Sequence, residues 1–173
     1  MKITLRQITF TAIFTAITAS LGAFHIPLGF ANLYLTDVAV CMAGILLTPF
    51  YAAVAGGVGA FLGDMLFYPQ AMVVSLIVRT VQVVIISVFS HYIMRKRPVL
   101  SSLIGCIIGI FIMAFGYSYF AILFYSAKEA ALAKLPLEAL QAAVGVVVAH
   151  PLCYKIRIRE IFEEYIKKDE YNK

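Results

Sequence analysis

Charge is what this sequence lacks most. Only 13% of its 173 residues are Asp, Glu, Lys or Arg, about half the share of an average soluble domain. Trp is absent and there are three cysteines, Cys41, Cys106 and Cys153. Each cysteine stands alone in an apolar run without C-x-x-C spacing, which argues for small buried hydrophobes and against a redox pair. No His, Cys or acidic residues recur at metal-ligand spacing, so no metal site is expected. There is no G-x-x-x-x-G-K-[ST] loop, which removes nucleotide hydrolysis by that route. Sequence repeats and low-complexity stretches are missing as well. The first apolar run has a sparse basic flank and no small-residue cleavage site, so it does not read as a signal peptide.

Apolar residues fill the space that charge leaves. They make up 62% of the chain, and the mean hydropathy is +0.93. Such a chain cannot cover itself with polar surface, and lipid is its expected solvent. Six apolar segments follow one another: Leu5 to Phe24, Leu35 to Thr48, Phe50 to Phe67, Ala71 to Met94, Val99 to Tyr125 and Pro136 to Tyr154. A bilayer core takes about 20 helical residues to cross, so the second segment must be tilted, interfacial or shielded by its neighbours. Breaks fall at turn chemistry: His25 to Gly29, Thr48-Pro49, Tyr68-Pro69 and Arg97-Pro98. The expected fold is an all-α membrane protein, a bundle of six transmembrane helices in a single domain spanning residues 1–173.

The few basic residues orient that bundle. Lys2 and Arg6 begin the chain, Arg95, Lys96 and Arg97 follow the fourth segment, and six more follow the sixth. These fall on one side if both termini are cytoplasmic, leaving Lys128 and Lys134 outside and Arg79 within the membrane. The net charge of +5 is then topology information and not a sign of nucleic-acid binding. The tail from 155 to 173 places Ile158, Ile161, Phe162 and Tyr165 on one helical face, as a cytoplasmic juxtamembrane helix would.

In this orientation the unusual polar residues gather in the outer half. Asp64 closes "GGVGAFLGDMLFYP", a small-residue helix, and Tyr68 and Gln70 sit in the turn after it. Arg79 lies eight residues into the fourth segment, about 12 Å deep at a rise of about 1.5 Å per residue. Ser75, Arg79 and Gln82 share one helical face. A charged Arg at that depth needs a partner or a watery cavity. Asn32 and Asp37 arrive from the first outer loop, Tyr117, Tyr119 and Tyr125 from the fifth segment, and Glu138 and Gln141 from the sixth. Plainer readings compete. Asp37 after Thr36 resembles a helix N-cap, the tyrosines suit an interfacial belt, and His25, His91 and His150 suit packing. Asp64 is expected either to fix the Arg79 guanidinium or to meet a ligand.

Small residues form a second pattern. Ala52, Gly56, Gly59 and Gly63 line one face of the third segment and suit packing inside the bundle. Ala12, Ala16, Ala19 and Ala23, with threonines alongside, make a wider stripe on the first segment. That width suits an external partner helix.

Together these features resemble the substrate-binding S component of an energy-coupling factor (ECF) vitamin transporter. The resemblance rests on Ala12-Ile-Phe-Thr-Ala16 as the A-x-x-x-A of helix one and on six helices in a chain of this size. It rests also on "FANLYLTDVAVCMAGILLTPFYAAVAGGVGAFLGD", which is similar to the riboflavin-type branch. "SLIVRTVQ" fills a slot where many relatives carry Lys and Glu; here the residues are Arg79 and Gln82. The family implies a non-enzymatic vitamin-binding subunit, without a cofactor of its own, in the plasma membrane of a prokaryote. It implies as partners a transmembrane coupling (T) component and two ATP-binding cassette ATPases, docked through helices one to three with Ala12 and Ala16 at the interface. The ligand site expected on this basis comprises Asn32, Asp64, Tyr68, Arg79, Gln82, Tyr117, Tyr125 and Gln141. A pyridoxine- or pyrimidine-like precursor is the first expectation for the ligand, with riboflavin or cobalamin behind it. Two other classes stay open. A stand-alone secondary transporter would usually show paired repeats and broken helices, and an intramembrane enzyme would need a nucleophile with its base.

Overall fold

A computed structural model describes residues 5–27, 32–94, 96–125 and 128–171. Helix α1 (Leu5–Ala23) leads into a short antiparallel hairpin of β1 (His25–Pro27) and β2 (Asn32–Tyr34), with Ile26 opposite Leu33. Then come α2 (Thr36–Leu46), α3 (Pro49–Ala53), a π turn (Val54–Val58) and α4 (Gly59–Phe67). The chain continues through α5 (Met72–His91), α6 (Pro98–Tyr125), α7 (Lys128–Tyr154) and α8 (Ile158–Tyr171). From α3 to α4 the helical backbone is unbroken, so the third apolar segment is one rod with an internal π turn at Ala55-Gly56-Gly57. Pro49 opens it at a position where its missing N–H costs no hydrogen bond. Met94 and Arg157 take the left-handed conformation at φ 45° and 62°, in the turns that follow α5 and α7.

Four stretches are long and apolar enough to cross a membrane: Pro49–Leu66, Met72–His91, Pro98–Leu123 and Leu132–Tyr154. Helix α1 has the length, with 19 residues, but Arg6, Gln7 and its threonines dilute it. Those hydroxyls are satisfied within the helix. Thr11, Thr15 and Thr18 donate to the carbonyls of Gln7, Thr11 and Phe14 at 2.7, 2.7 and 2.8 Å, which is how Ser and Thr live in a helix without water. Helix α2, with 11 residues, spans about 16 Å at a rise of about 1.5 Å per residue. It is shielded by its neighbours: Val40, Ala43 and Ile45 are fully buried, and α2 packs between α5 and α7.

Glycine sets how closely the rods approach. Gly56 and Gly59 press on Val83 of α5 and Thr18 of α1, and Gly63 lies on the Ala19 backbone of α1. The small face of the third segment therefore packs inside the bundle, as its spacing predicts. Cys41, Cys106 and Cys153 are buried free thiols.

Two features differ from the sequence reading. Helix α7 begins at Lys128, not at Pro136, and Pro136 lies inside it. The stretch from Lys128 to Leu135 is built of strong helix formers, so the helix runs on past the end of its apolar segment. In α8 the inward face is Ile158, Phe162 and Ile166, spaced four apart. Ile161 and Tyr165 are exposed. Tyr165 instead supplies a carbonyl to Arg6 at 2.6 Å and a ring 4.3 Å beneath its guanidinium. Arg159 of the same helix donates to the Ser90 carbonyl at the end of α5, at 2.9 Å. The start of α1 and helix α8 thus meet at one end of the bundle, opposite the hairpin.

Candidate substrate-binding site

Near the hairpin end, the first turn of α2 places Asp37 between α5 and α7. Gly145 of α7 makes room for it: a Cβ there would stand 2.6 Å from the Asp37 Cβ and 2.8 Å from its carbonyl carbon. Asp37 is completely buried. Its Oδ1 forms a short ion pair with Nη1 of Arg79 and accepts from Gln82 Nε2 at 3.3 Å. Its Oδ2 accepts from Arg79 Nη2 at 3.2 Å and from Gln141 Nε2 at 2.7 Å. Four N–H donors thus fill the roughly four lone-pair sites of one carboxylate. Arg79 Nη1 also donates to Gln82 Oε1 at 3.0 Å, so Gln82 bridges both members of the pair. Gln141 spends its carbonyl on the Tyr34 backbone N–H at 3.1 Å, tying hairpin strand β2 to the same network.

Arg79 is 4% exposed. A lone guanidinium at that depth in lipid would be costly, and Asp37 removes the cost with a bidentate contact. The spacing of Ser75, Arg79 and Gln82 puts all three on the buried face of α5. The Tyr117 ring lies 5.5 Å from the guanidinium carbon, and its hydroxyl donates to Ser75 Oγ at 2.7 Å.

A cavity of about 450 Å³ opens beside this network. Small-molecule sites commonly span about 300–1,000 Å³. Arg79, Tyr117, Gln141, Asp64, Tyr68, Tyr34, Thr36, Lys134 and Glu138 line its polar parts, and Met113, Leu137 and Ala60 its apolar ones. Tyr34 and Tyr68 meet edge to face with centroids 6.0 Å apart. Ser118 approaches Glu138 at 3.5 Å, and the Ser75 hydroxyl stands beside Asp64.

Of the eight residues expected to bind ligand, Asp64, Tyr68, Arg79, Tyr117 and Gln141 line this cavity. Gln82 stands behind Arg79, buried, as a bridge. The side chains of Asn32 and Tyr125 lie outside the described residues. Two expectations are corrected. Asp64 does not fix Arg79; Asp37 does, because α2 starts close to α5 whereas Asp64 faces the cavity. Asp37 is also no N-cap: α2 has no side-chain cap bond, and the residue points into the bundle. Tyr34, Thr36, Lys134 and Met113 were not expected in the cavity. Tyr34 and Thr36 stand three and one residues before Asp37, where the hairpin hands the chain on to α2.

The sequence profile of the family described as "ECF-type riboflavin transporter, S component" matches residues 2–157. The chain belongs to this family. The match covers every element up to α7 and stops just before α8. A relative is an uncharacterized protein in the gap 3′ region of Pyrococcus woesei, 28% identical over 152 residues, which cover 86% of this chain and all of that protein.

In this S component the residues expected at the coupling interface lie well apart from the cavity. Ala12 and Ala16 are exposed on α1, flanked by exposed Ile13 and Ile17. His91 and His150 are held by neighbouring hydroxyl and carbonyl groups, Ser87 for the first, Ser102 and Val99 for the second. Both read as packing histidines. Among the described residues no group of three His, Cys, Asp or Glu side chains could hold a metal ion.

Proposed function

We propose that this S component captures a small vitamin-like molecule in the cavity beside Arg79 and works as the binding subunit of an ATP-driven ECF uptake system. The observation that carries this reading is the cavity itself. It is of ligand size, aromatic and polar, and built on a buried charge network that fixes its shape before any ligand arrives. In this reading six helices cross the plasma membrane of a prokaryote and both termini are cytoplasmic. The gathering of Arg6 and Arg159 at the end opposite the cavity supports it, so the cavity faces outward. A coupling component and two ATPases bind the cytoplasmic half through α1, with Ala12 and Ala16 in contact. Hydrolysis in those partners reorients the loaded subunit and releases its cargo inside.

The test is twofold. Compounds carried by the purified protein are identified by mass spectrometry, and uptake of the identified compound is measured with and without the ATPase partners. Uptake that persists without them would make the chain a stand-alone secondary transporter. Chemical turnover of the bound compound would make it an enzyme.

A further inference from the structure

Helix α8 lies on the bundle without being locked into it. The family match ends at residue 157, so α8 is a feature of this chain beyond that match. Ile158, Phe162 and Ile166 recur every four residues and form one apolar stripe against the core. The stripe rests on the end of the bundle opposite the hairpin. Phe162 is buried there, and its ring meets Phe10 of α1 edge to face at 4.7 Å. Arg6 of α1 holds Tyr165 by its carbonyl and its ring. Even so, α8 packs on α1, α2 and α7 far more lightly than the longer helices pack on one another.

The fit is also incomplete. A cavity of about 180 Å³ remains under α8, walled by Leu46, Leu47, Thr48, Tyr51, Phe162 and Ile166. The Thr48 and Tyr51 hydroxyls are buried without a hydrogen-bond partner among the described residues, a costly state for polar groups. The joint to α7 is strained: Arg157 holds the left-handed conformation at φ 62°, which an L residue resists. Releasing α8 relaxes it. The seat of α8 is continuous with the open face of α1, where Leu5, Ile8 and Ala12 are exposed around Arg6 and Phe10.

We propose that α8 is a detachable cover. In the free subunit it occupies a seat that an amphipathic helix of the coupling component takes on assembly. This rests on the coupled-transporter reading above. The present occupant shows the chemistry that the seat accepts: an aromatic residue with an aliphatic one four positions before and after it. A competing helix that adds a polar group at the cavity would also serve the Thr48 and Tyr51 hydroxyls. Assembly is then weakened in proportion to the share of subunits whose α8 is seated. The tail thereby sets how readily the subunit couples, without touching the ligand cavity at the other end.

Hydrogen exchange of the full chain in nanodiscs, alone and assembled with the coupling component and its ATPases, tests this. In the free chain the amides of residues 158–166 of α8 should be protected. Assembly should speed their exchange at least about tenfold, the mark of local opening. Full-length Phe162→Ala should assemble at least about threefold more tightly than the parent, because its seat is more often empty. Its ligand binding should match that of the parent. Protection of α8 that is unchanged or stronger in the complex overturns the inference and leaves the coupled-transporter reading standing. Equal or weaker assembly of Phe162→Ala does the same, since α8 would then belong to the docking surface. Rapid exchange of α8 in the free chain overturns it too. If neither parent nor variant assembles, the inference and the transporter reading fall together. The exchange measurement needs no variant, so a Phe162→Ala chain that fails to fold leaves the proposal open to refutation.

Discussion

Removing the charge of Asp37 without changing its shape is the sharpest perturbation of this fold. In Asp37→Asn the side chain keeps its volume, so no cavity forms, but Arg79 loses its counter-charge while 4% exposed. One of the two carboxylate oxygens becomes an NH₂ group facing donors from Arg79, Gln82 or Gln141. Breaking a buried pair by neutralising one partner costs about 3–5 kcal/mol, because the other charge is stranded. At about 1.4 kcal/mol per tenfold, the folding equilibrium constant should fall by about two to three and a half powers of ten. Arg79→Met strands the carboxylate instead, but Gln82 and Gln141 still donate to it, so its cost should lie at the lower end. The double variant strands nothing. Its loss should be smaller than the sum of the single losses by at least about 2 kcal/mol, within the range seen for residues that share a network.

Reversible unfolding in mixed micelles at fixed composition, followed by helix circular dichroism, measures the cycle. Additive losses, or a loss below about 1 kcal/mol for Asp37→Asn, would refute the idea that the pair acts as a unit. Asp64→Asn is the internal control. If Asp64 only faces the cavity, its stability cost should stay below about 0.5 kcal/mol, as for a change away from core features. A cost equal to that of Asp37→Asn would mean the partner of Arg79 is wrongly assigned.

Three further outcomes follow from the packing. Gly145→Ala places a methyl group 2.6 Å from the Asp37 Cβ, and overpacking of this kind should cost about 1–3 kcal/mol; an unchanged melting temperature would show that α2 and α7 stand further apart. Tyr51→Phe removes a buried hydroxyl that has no hydrogen-bond partner among the described residues, so it should be neutral or stabilising by about 1 kcal/mol; a clear fall in melting temperature would reveal a partner. Ala12→Trp or Ala16→Trp, on the exposed face of α1, should leave ligand binding intact while assembly with the coupling component and ATP-dependent uptake are lost. Lost binding would assign the stripe to internal packing, and normal assembly would remove the docking role.

Helix content and segment order were legible because hydropathy and turn residues act locally. Pro49, Pro98 and the Tyr68-Pro69 turn stand at helix ends for reasons each residue carries itself. The polar face of α5 was legible too, since Ser75, Arg79 and Gln82 are fixed by one helical period. The partner of Arg79 was not, because periodicity says nothing about which of two carboxylates another helix brings near. Asp37 follows a Thr at a helix start and so looks like a cap, and only the missing side chain of Gly145 reveals that α7 closes over it. Asp64, at the end of an apolar rod, looked like the costlier charge and therefore the one in need of a cation. It meets the cavity, and the cavity relieves that cost.

The same geometry explains why one network can hold both the fold and the site. Asp37 spends all its acceptor capacity inside the protein, drawing together α2, α5 and α7. Arg79 keeps its remaining N–H capacity and one edge toward the cavity. Gln141 passes the constraint on, because its carbonyl holds the Tyr34 N–H while its amide holds Asp37. Strand β2 is therefore positioned by the buried pair and not by the two-stranded hairpin alone, which would be marginal by itself. A ligand touching Tyr34 or Gln141 acts on that hairpin through two hydrogen bonds, and the saturated Asp37 gives them a fixed point to pull against.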